Sequence, residues 1–445
     1  MFQKLGEKQS TEGDWSMSTV AYQCPCCGAA LAYGAASGKL ECASCGNSYD
    51  LESMEAMQVS DERGGVQFDL PTETFGAADA QEMQGYICSS CGAELMTEGT
   101  TTATECPYCG SPTILPERIE SGVKPEKVIP FTITKEQAQQ MFHDYFKGKF
   151  LLPNIFKDSR NRITDMRKLY VPYWLFDCEA DASIVYDAEK VHTRRSGNYE
   201  IIRTEHYAVR REGSMAFENI PVDGSVKLDN KITESLEPYD MNQAVPFQAA
   251  VLAGALADHA DVDAAQCEGR AIERVENSIS SAMRATVTGY SSVSEKSKRI
   301  FAEGGKVTPV LMPVWLITTE KEGKTYTFAI NGQTGKLTCD VPTNNKKAFG
   351  LGAGIFAGVF GIAALVMYFL GQLAGGTALI AAIVGLVAAL IVVGVFIGQL
   401  KQAVHQHAAS EYEKKGSFNL RVRRDHFLYQ RETRRKIETN NNNKK

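Results

Sequence analysis

Along the 445-residue chain, hydrophobic and polar positions follow different periods in different stretches. Residues 348–400 contain no Asp, Glu, Lys or Arg. That run is more than twice the roughly 20 apolar residues needed to cross a bilayer, and Gly371-Gln-Leu-Ala-Gly-Gly376 interrupts it near its middle. The pattern predicts two membrane helices, about 348–370 and 377–400. Upstream, Thr134-Lys-Glu-Gln137 forms a capping box, and Ala138, Met141, Phe142, Tyr145 and Phe146 share one side of the helix that follows. Runs rich in Tyr, Val, Ile, Trp and Thr at 169–179, 199–210, 310–319 and 325–330 predict strands. Residues 247–259 and 263–286 read as helices, the second opening with a capping box formed by Asp263 and Gln266. Turn signals at Glu322-Gly323, Asn331-Gly332 and Thr334-Gly335 mark hairpins.

Two strand cores resemble each other, VPYWLFD at 171–177 and MPVWLIT at 312–318, which suggests a weak internal duplication. With four CxxC pairs, at 24–27, 42–45, 88–91 and 106–109, marking two metal-binding modules, the fold class expected is multidomain: two small zinc β-ribbons, a central α+β domain, and a two-helix transmembrane hairpin with a basic tail. The expected boundaries are a disordered tail at 1–19, ribbon one at 20–50, an acidic spacer at 51–85 and ribbon two at 86–115. The central domain follows at 125–343, the hairpin at 347–400 and the basic cytosolic tail at 401–445. A short docking segment around Phe75 is expected within the spacer, and NNNNKK at the end is expected to be disordered. Met17 is an alternative start.

The cysteines explain the ribbons. Eight of twelve fall in CxxC pairs: Cys24, Cys27, Cys42 and Cys45, then Cys88, Cys91, Cys106 and Cys109, each of the second set 64 positions after its counterpart. Such register marks a duplicated module. Each CxxC brings two thiolates from one turn to one ion, and Gly28, Gly46, Gly92 and Gly110 follow the second cysteine of each pair, where a positive φ is needed. A redox dithiol needs one pair beside a helix N-terminus, not four in matched register. The expectation is two structural Zn²⁺ ions whose closed four-thiolate shells leave no site for hydrolysis. Cys26 aligns with Ser90 and is read as a non-ligand, although an exchange with Cys27 is conceivable; Cys178, Cys267 and Cys339 are read as buried thiols.

Charge then limits the partners. The segment 401–445 carries twelve Lys and Arg against five Asp and Glu, so it is +7 in a chain of −6, which leaves −13 on residues 1–347. Between Tyr86 and Pro112 there is no Lys or Arg, and between Val20 and Asp50 only Lys39. Nucleic acid is thus disfavoured as a partner, since phosphates demand cations, and protein contact is favoured. The first twenty residues lack the apolar core of a secretory signal. With Lys346, Lys347 and Lys401 flanking the hairpin, this places both termini in the cytosol and the protein in the cytoplasmic membrane as a multi-pass chain. A reducing cytosol also favours metal over disulfides. The tail has two candidate partners, anionic membrane lipid or the acidic soluble part. Gly350, Gly354 and Gly358, with Gly394 and Gly398, are expected to pack the hairpin on itself; the alternative is a homo-oligomer through the membrane. His143, His192, His206 and His259 lack metal-type spacing, and no GxSxG, Walker or Rossmann pattern occurs, so no catalytic residue or enzyme activity is assigned.

The layout from CPYCG at 106–110 through YVPYWLFD, EPYD at 237–240, MPVWLI and FAINGQTGK at 328–336 resembles bacterial membrane-anchored TFIIB-type zinc-ribbon-containing proteins. Some of these are catalogued as replication-restart helicases or phage replication proteins, but this chain has no helicase motif. The resemblance implies a membrane scaffold working alongside phage-shock protein A and band-7 (SPFH) proteins in envelope stress. Cys26 and the long acidic spacer depart from that pattern.

Overall fold

The computed structural model describes residues 22–57, 66–76, 79–112, 114–117, 122–147, 149, 151, 166–321, 324–339, 344–369, 375–398 and 403–436. The N-terminal tail and Met17, the Glu322-Gly323 turn, most of the break at 371–376 and the terminal NNNNKK lie outside them.

In chain order, β1 (Ala32–Gly34), β2 (Lys39–Glu41) and β3 (Ser48–Tyr49) make a small separate sheet, followed by α1 (Leu51–Ala56) and α2 (Asp79–Glu82). A larger sheet begins with β4 (Met83–Cys88), β5 (Glu94–Glu98), β6 (Ile114–Glu117) and β7 (Lys127–Val128). After α3 (Lys135–Phe146) come β8 (Arg167–Ser196), β9 (Tyr199–Asp223), α4 (Asn230–Ser235), β10 (Val245–Pro246) and β11 (Leu256–Asp258). Then follow α5 (Ala264–Ala285), β12 (Ser292–Lys321), β13 (Lys324–Asn331), β14 (Leu337–Cys339), α6 (Asn345–Phe369), α7 (Gly375–Gly398) and β15 (Asn419–Lys436).

The centre is richer in β structure than an α+β reading suggests. At 30, 25 and 30 residues, β8, β9 and β12 far exceed the usual strand of 5–6. Each expected strand core lies inside one of these or inside β13. At 169–176 every β8 residue is buried, because the sheet is covered on both faces there, whereas 191–196 are all exposed. The charged distal ends therefore carried no apolar signal. Beneath the sheet, α5 presents Cys267, Ala271, Val275, Ile279 and Met283 at intervals of four to Ile184, Tyr186, Val209 and Ile300. A buried aliphatic side chain of this kind contributes about 1.5–3 kcal/mol.

The two similar strand cores lie side by side, Pro172 opposite Leu311 and Pro313 opposite Tyr170, and the domain has an approximate two-fold around them. One unit is β7–α3–β8–β9, the other β11–α5–β12–β13, and each first strand crosses to run parallel with the other unit's long strand. Each proline, lacking an N–H, sits where its strand changes neighbour, β11 to β9 for Pro172 and β7 to β13 for Pro313. Their carbonyls accept from Gly224 N–H and Gly332 N–H at 2.9 and 2.8 Å. A Cβ at either glycine would press into the Trp174 indole or into Phe131 and Pro313. Trp174 donates to the Val262 carbonyl at 2.9 Å and Trp315 to that of Ile133 at 3.0 Å, each acceptor one residue before a helix N-cap residue. The hint of duplication in the sequence thus extends to a first strand, a helix and two further strands in each unit.

Several expectations change. At Thr134 the capping box forms, but Asp263 makes no side-chain cap. The helix expected at 247–259 is a 3₁₀ turn (Ala249–Leu252) followed by β11, with Gly254 at φ +69° between them, a backbone that does not continue a helix. Ribbon two is not a separate domain, since β5 pairs with β11 through Met96–Ala257 and Leu95–Asp258. Of the two partners expected for the basic segment, the soluble part is the one it contacts. From Asn419 to Lys436 it pairs with β9, and Arg424, which bonds Glu52 at 2.7 Å, and Asp425, which bonds Arg211 at 2.7 Å, tie it to the soluble part. In the spacer, Phe75 is buried, as its expected docking requires. Finally, α6 and α7 are both long and apolar enough to cross a membrane. They approach each other through Gly352 beside Val393 and Gly385 beside Phe356, while among the described residues nothing lies within 4 Å of a Cβ added at Gly350, Gly354, Gly358, Gly394 or Gly398. The stripe does not pack the hairpin on itself.

Candidate metal centres

Four copies of one knuckle build the two clusters. In each, the glycine after the second cysteine donates its N–H to the carbonyl of the first, at 2.8, 2.9, 2.8 and 3.0 Å for Gly28, Gly46, Gly92 and Gly110. All four have φ between +66° and +75° and open space where a Cβ would go, so the backbone angle alone requires glycine. A return bond closes each turn, for instance from Cys24 N–H to Ala29 O at 2.7 Å and from Cys88 N–H to Ala93 O at 2.9 Å.

The thiols converge in two groups of four, the eight cysteines expected and no others. Sulfur separations are 3.5 Å for Cys24–Cys45 and Cys27–Cys42, 3.7 Å for Cys88–Cys109 and 3.6 Å for Cys91–Cys106. A disulfide requires about 2.05 Å, whereas a tetrahedral ion at about 2.3 Å from each sulfur sets them roughly 3.8 Å apart. Both groups could therefore hold a metal ion. Burial raises the Cys24 thiol, but hydrogen bonds from Tyr49 and from the Cys26 and Cys27 backbone outweigh it and bring the pKa down to about 6. Cys88 falls to about 7, its burial outweighed by the Cys91 and Ser90 backbone. Burial pushes Cys106 far up, and Cys45 rises to about 12. A dication among four such sulfurs would draw all of them to thiolate. Cys27, not Cys26, completes the first group; Cys26 Sγ lies 4.0 Å from Arg431 Nη2. Cys178, Cys267 and Cys339 are buried singly, as expected.

The seats of the two groups differ. Ribbon one rests Cys24, Leu40, Cys42, Tyr49 and Met54 on Ala208 and Leu428 of the long sheet. Ribbon two is locked in: Tyr108, inside its second knuckle, donates to the buried Asp258 carboxylate at 2.5 Å, and Ser225 donates to the same oxygen at 2.5 Å. Lys227 Nζ donates to the Cys91 carbonyl at 3.1 Å, and Arg167 bridges Glu105 and the Cys106 carbonyl. None of these partners was marked by the cysteine pattern. Asp258 and Lys227 lie more than a hundred residues from the knuckles they hold, and only the Tyr in CPYCG hinted at a contact.

A Bacillus subtilis (strain 168) protein, named uncharacterized protein YdjG, is 34% identical to this chain over 354 residues, covering 79% of the chain and 98% of YdjG. The chain belongs to the YdjG family. No family model matches the chain, and no solved structure does. The family name carries no activity, so the chemistry of YdjG's relative here rests on the geometry above.

Proposed function

We propose that this member of the YdjG family is a membrane-anchored, non-enzymatic adaptor that assembles protein partners at the cytosolic face of the membrane. The observation that carries the reading is the presence, on one chain, of two four-thiolate groups and two apolar helices. Zn²⁺ is the ion proposed for each group, because four thiolates fill its tetrahedral shell and leave no position for a reacting water. The hairpin crosses the membrane twice with both termini in the cytosol, anchored by Lys346 and Lys347 at its entry. The TFIIB-type zinc-ribbon resemblance supports this reading, and phage-shock protein A and band-7 (SPFH) proteins are the partners it puts first, in envelope stress. Affinity purification of the full chain from detergent extract tests it. Recovery of a stoichiometric protein partner and two zinc ions per chain is expected; a preparation holding only this chain would overturn it.

A further inference from the structure

The distal end of the long sheet is built from three strands distant in sequence. Beyond Glu189, where β12 ends its pairing, β8 is paired as a strand with β9, its Val191 N–H also reaching Ser291 Oγ at 3.1 Å, and β9 is paired in turn with β15. Cross-strand rows there align Arg194–Ile201–Arg434 on one face and Arg195–Glu200–Arg435 on the other. Arg431, Arg434, Arg435 and Lys436 crowd the last six residues of β15 against Glu432 alone, and 430–436 are all exposed. Among the described residues, no carboxylate lies within ion-pair distance of Arg194, Arg195, Arg435 or Lys436, and no strand pairs the outer edge of β15.

An open edge leaves alternate N–H and C=O groups available to another strand. Cations along it repel basic strands and give neutral ones no partner for their charge, but an acidic strand turns each into a cross-strand attraction. The β15 bulges fall at 420–422 and 427–429, so the pairing edge runs without interruption from Tyr429 to Lys436, beside ribbon one, whose Cys26 meets Arg431. The cations occupy both faces of the blade, so a flat bilayer surface could engage only one set. An extended chain lying along the edge meets both.

We propose that the outer edge of β15 over 429–436 is a docking strip for an acidic, extended segment of a partner protein, which joins the sheet as a further strand. The proposal rests on the adaptor reading and names the chemistry of its partner. It places that contact at the far end of β8 from Lys168 and Trp315, near which Ala348, Leu351 and Phe396 of the hairpin pack, roughly 85 Å along the strand.

The test uses the full chain in detergent and a fluorescent peptide of repeating Glu-Glu-Thr-Thr, which as a strand carries carboxylates on both faces. A second peptide of equal charge with Pro replacing every Thr loses N–H donors on both of its edges and, with φ held near −65° at those residues, cannot lie as a regular ladder strand. The first peptide is expected to bind, with affinity falling at least about tenfold between about 50 and 300 mM salt. It should also protect amides within 429–436 from exchange. The proline peptide should bind at least about tenfold more weakly, as should the first peptide to a chain carrying Arg431→Glu and Arg435→Glu, exposed changes that leave the buried core intact. Equal binding of the two peptides would overturn strand addition, and so would full binding by the double variant. Stronger binding to phosphatidylglycerol vesicles than to the peptide would assign the strip to lipid instead. If the wild-type chain purifies with a partner and the double variant retains it fully, the strip fails and the adaptor survives; if the wild type purifies alone, the adaptor fails.

Discussion

The two cysteine modules share one spacing and one knuckle geometry, yet one is laid on the protein and the other is woven into it. Ribbon one keeps its own three-stranded sheet and touches the long strands through a small apolar patch and a few exposed polar contacts. Ribbon two gives its strands to the main sheet and its knuckle tyrosine to a buried carboxylate. Identical local chemistry therefore has different reach, and the difference lies in what surrounds the knuckles. A metal in the first would hold together one small module. A metal in the second would hold an edge of the central core.

The widest separation should come from deleting one ligand in each. Structural Zn²⁺ contributes an apparent 10–16 kcal/mol in small finger peptides, as much as a whole domain's net stability of about 5–15 kcal/mol. Cys106→Ser is expected to release β4, β5 and β6 from β11 and to expose the core around Leu169, Tyr173 and Val310. Cys42→Ser should open only residues near 22–57. Hydrogen exchange in α5 and β8 reads the difference, fast for the first variant and unchanged for the second. Equal damage from both would erase the distinction between the seats.

A smaller effect, a few kcal/mol, should appear as a pH dependence that ribbon two has beyond the one both ribbons share. Burial raises the Asp258 carboxyl to about 7, against the pull of its bonds from Ser225 and Tyr108, while an unfolded Asp titrates near 3.9. Because the folded value is the higher one, the native state holds the extra proton between these limits. The stabilisation from this group is complete below about 4 and is lost as pH rises through about 7. Protonation of the cysteine ligands acts in the opposite direction, but on both ribbons, so the comparison isolates Asp258. Exchange at β4 and β5 should slow relative to β1 and β2 as pH falls from about 8 to 6, after correction for intrinsic rates, and Asp258→Asn should flatten that ratio. A ratio that is flat in the wild type would remove Asp258 from the account.

Which parts were legible in the sequence follows from the range of the interactions. The knuckles are set within a few residues, so spacing and glycine placement revealed all eight cysteines that converge in the two groups. The apolar helices follow from composition alone. The seats depend on pairs such as Tyr108–Asp258, 150 residues apart, that no local pattern marks. Likewise VPYWLFD and MPVWLIT betrayed the duplication, but the equivalent helix starts at Thr134 and Asp263 have diverged, and only the second has lost its side-chain cap. The basic segment could be narrowed only to two candidate partners, because charge on an exposed strand edge looks the same in sequence as charge facing a bilayer, and nothing local marked β9 as the strand it joins.

The finest test compares one arginine at each seat. Arg167 has a side chain 14% exposed, and it bonds both Glu105 and the Cys106 carbonyl, the latter at 2.9 Å. Arg424 has a side chain 59% exposed and bonds Glu52, itself 68% exposed, at 2.7 Å. Charged hydrogen bonds shielded from water contribute about 1.5–3 kcal/mol, whereas exposed ion pairs contribute about 0–1 kcal/mol and fade with salt. Arg167→Ala should therefore speed exchange in β4 and β5 at any ionic strength, because the Cys106 carbonyl loses one of its two donors, keeping only Gly110 N–H, where solvent reaches poorly. Arg424→Ala should speed exchange in α1 only slightly, and only at low salt, where the pair is not screened. If the two substitutions gave equal, salt-sensitive effects, the second ribbon would be as loosely seated as the first, and the contacts of Tyr108 and Lys227 would have to be judged weak as well.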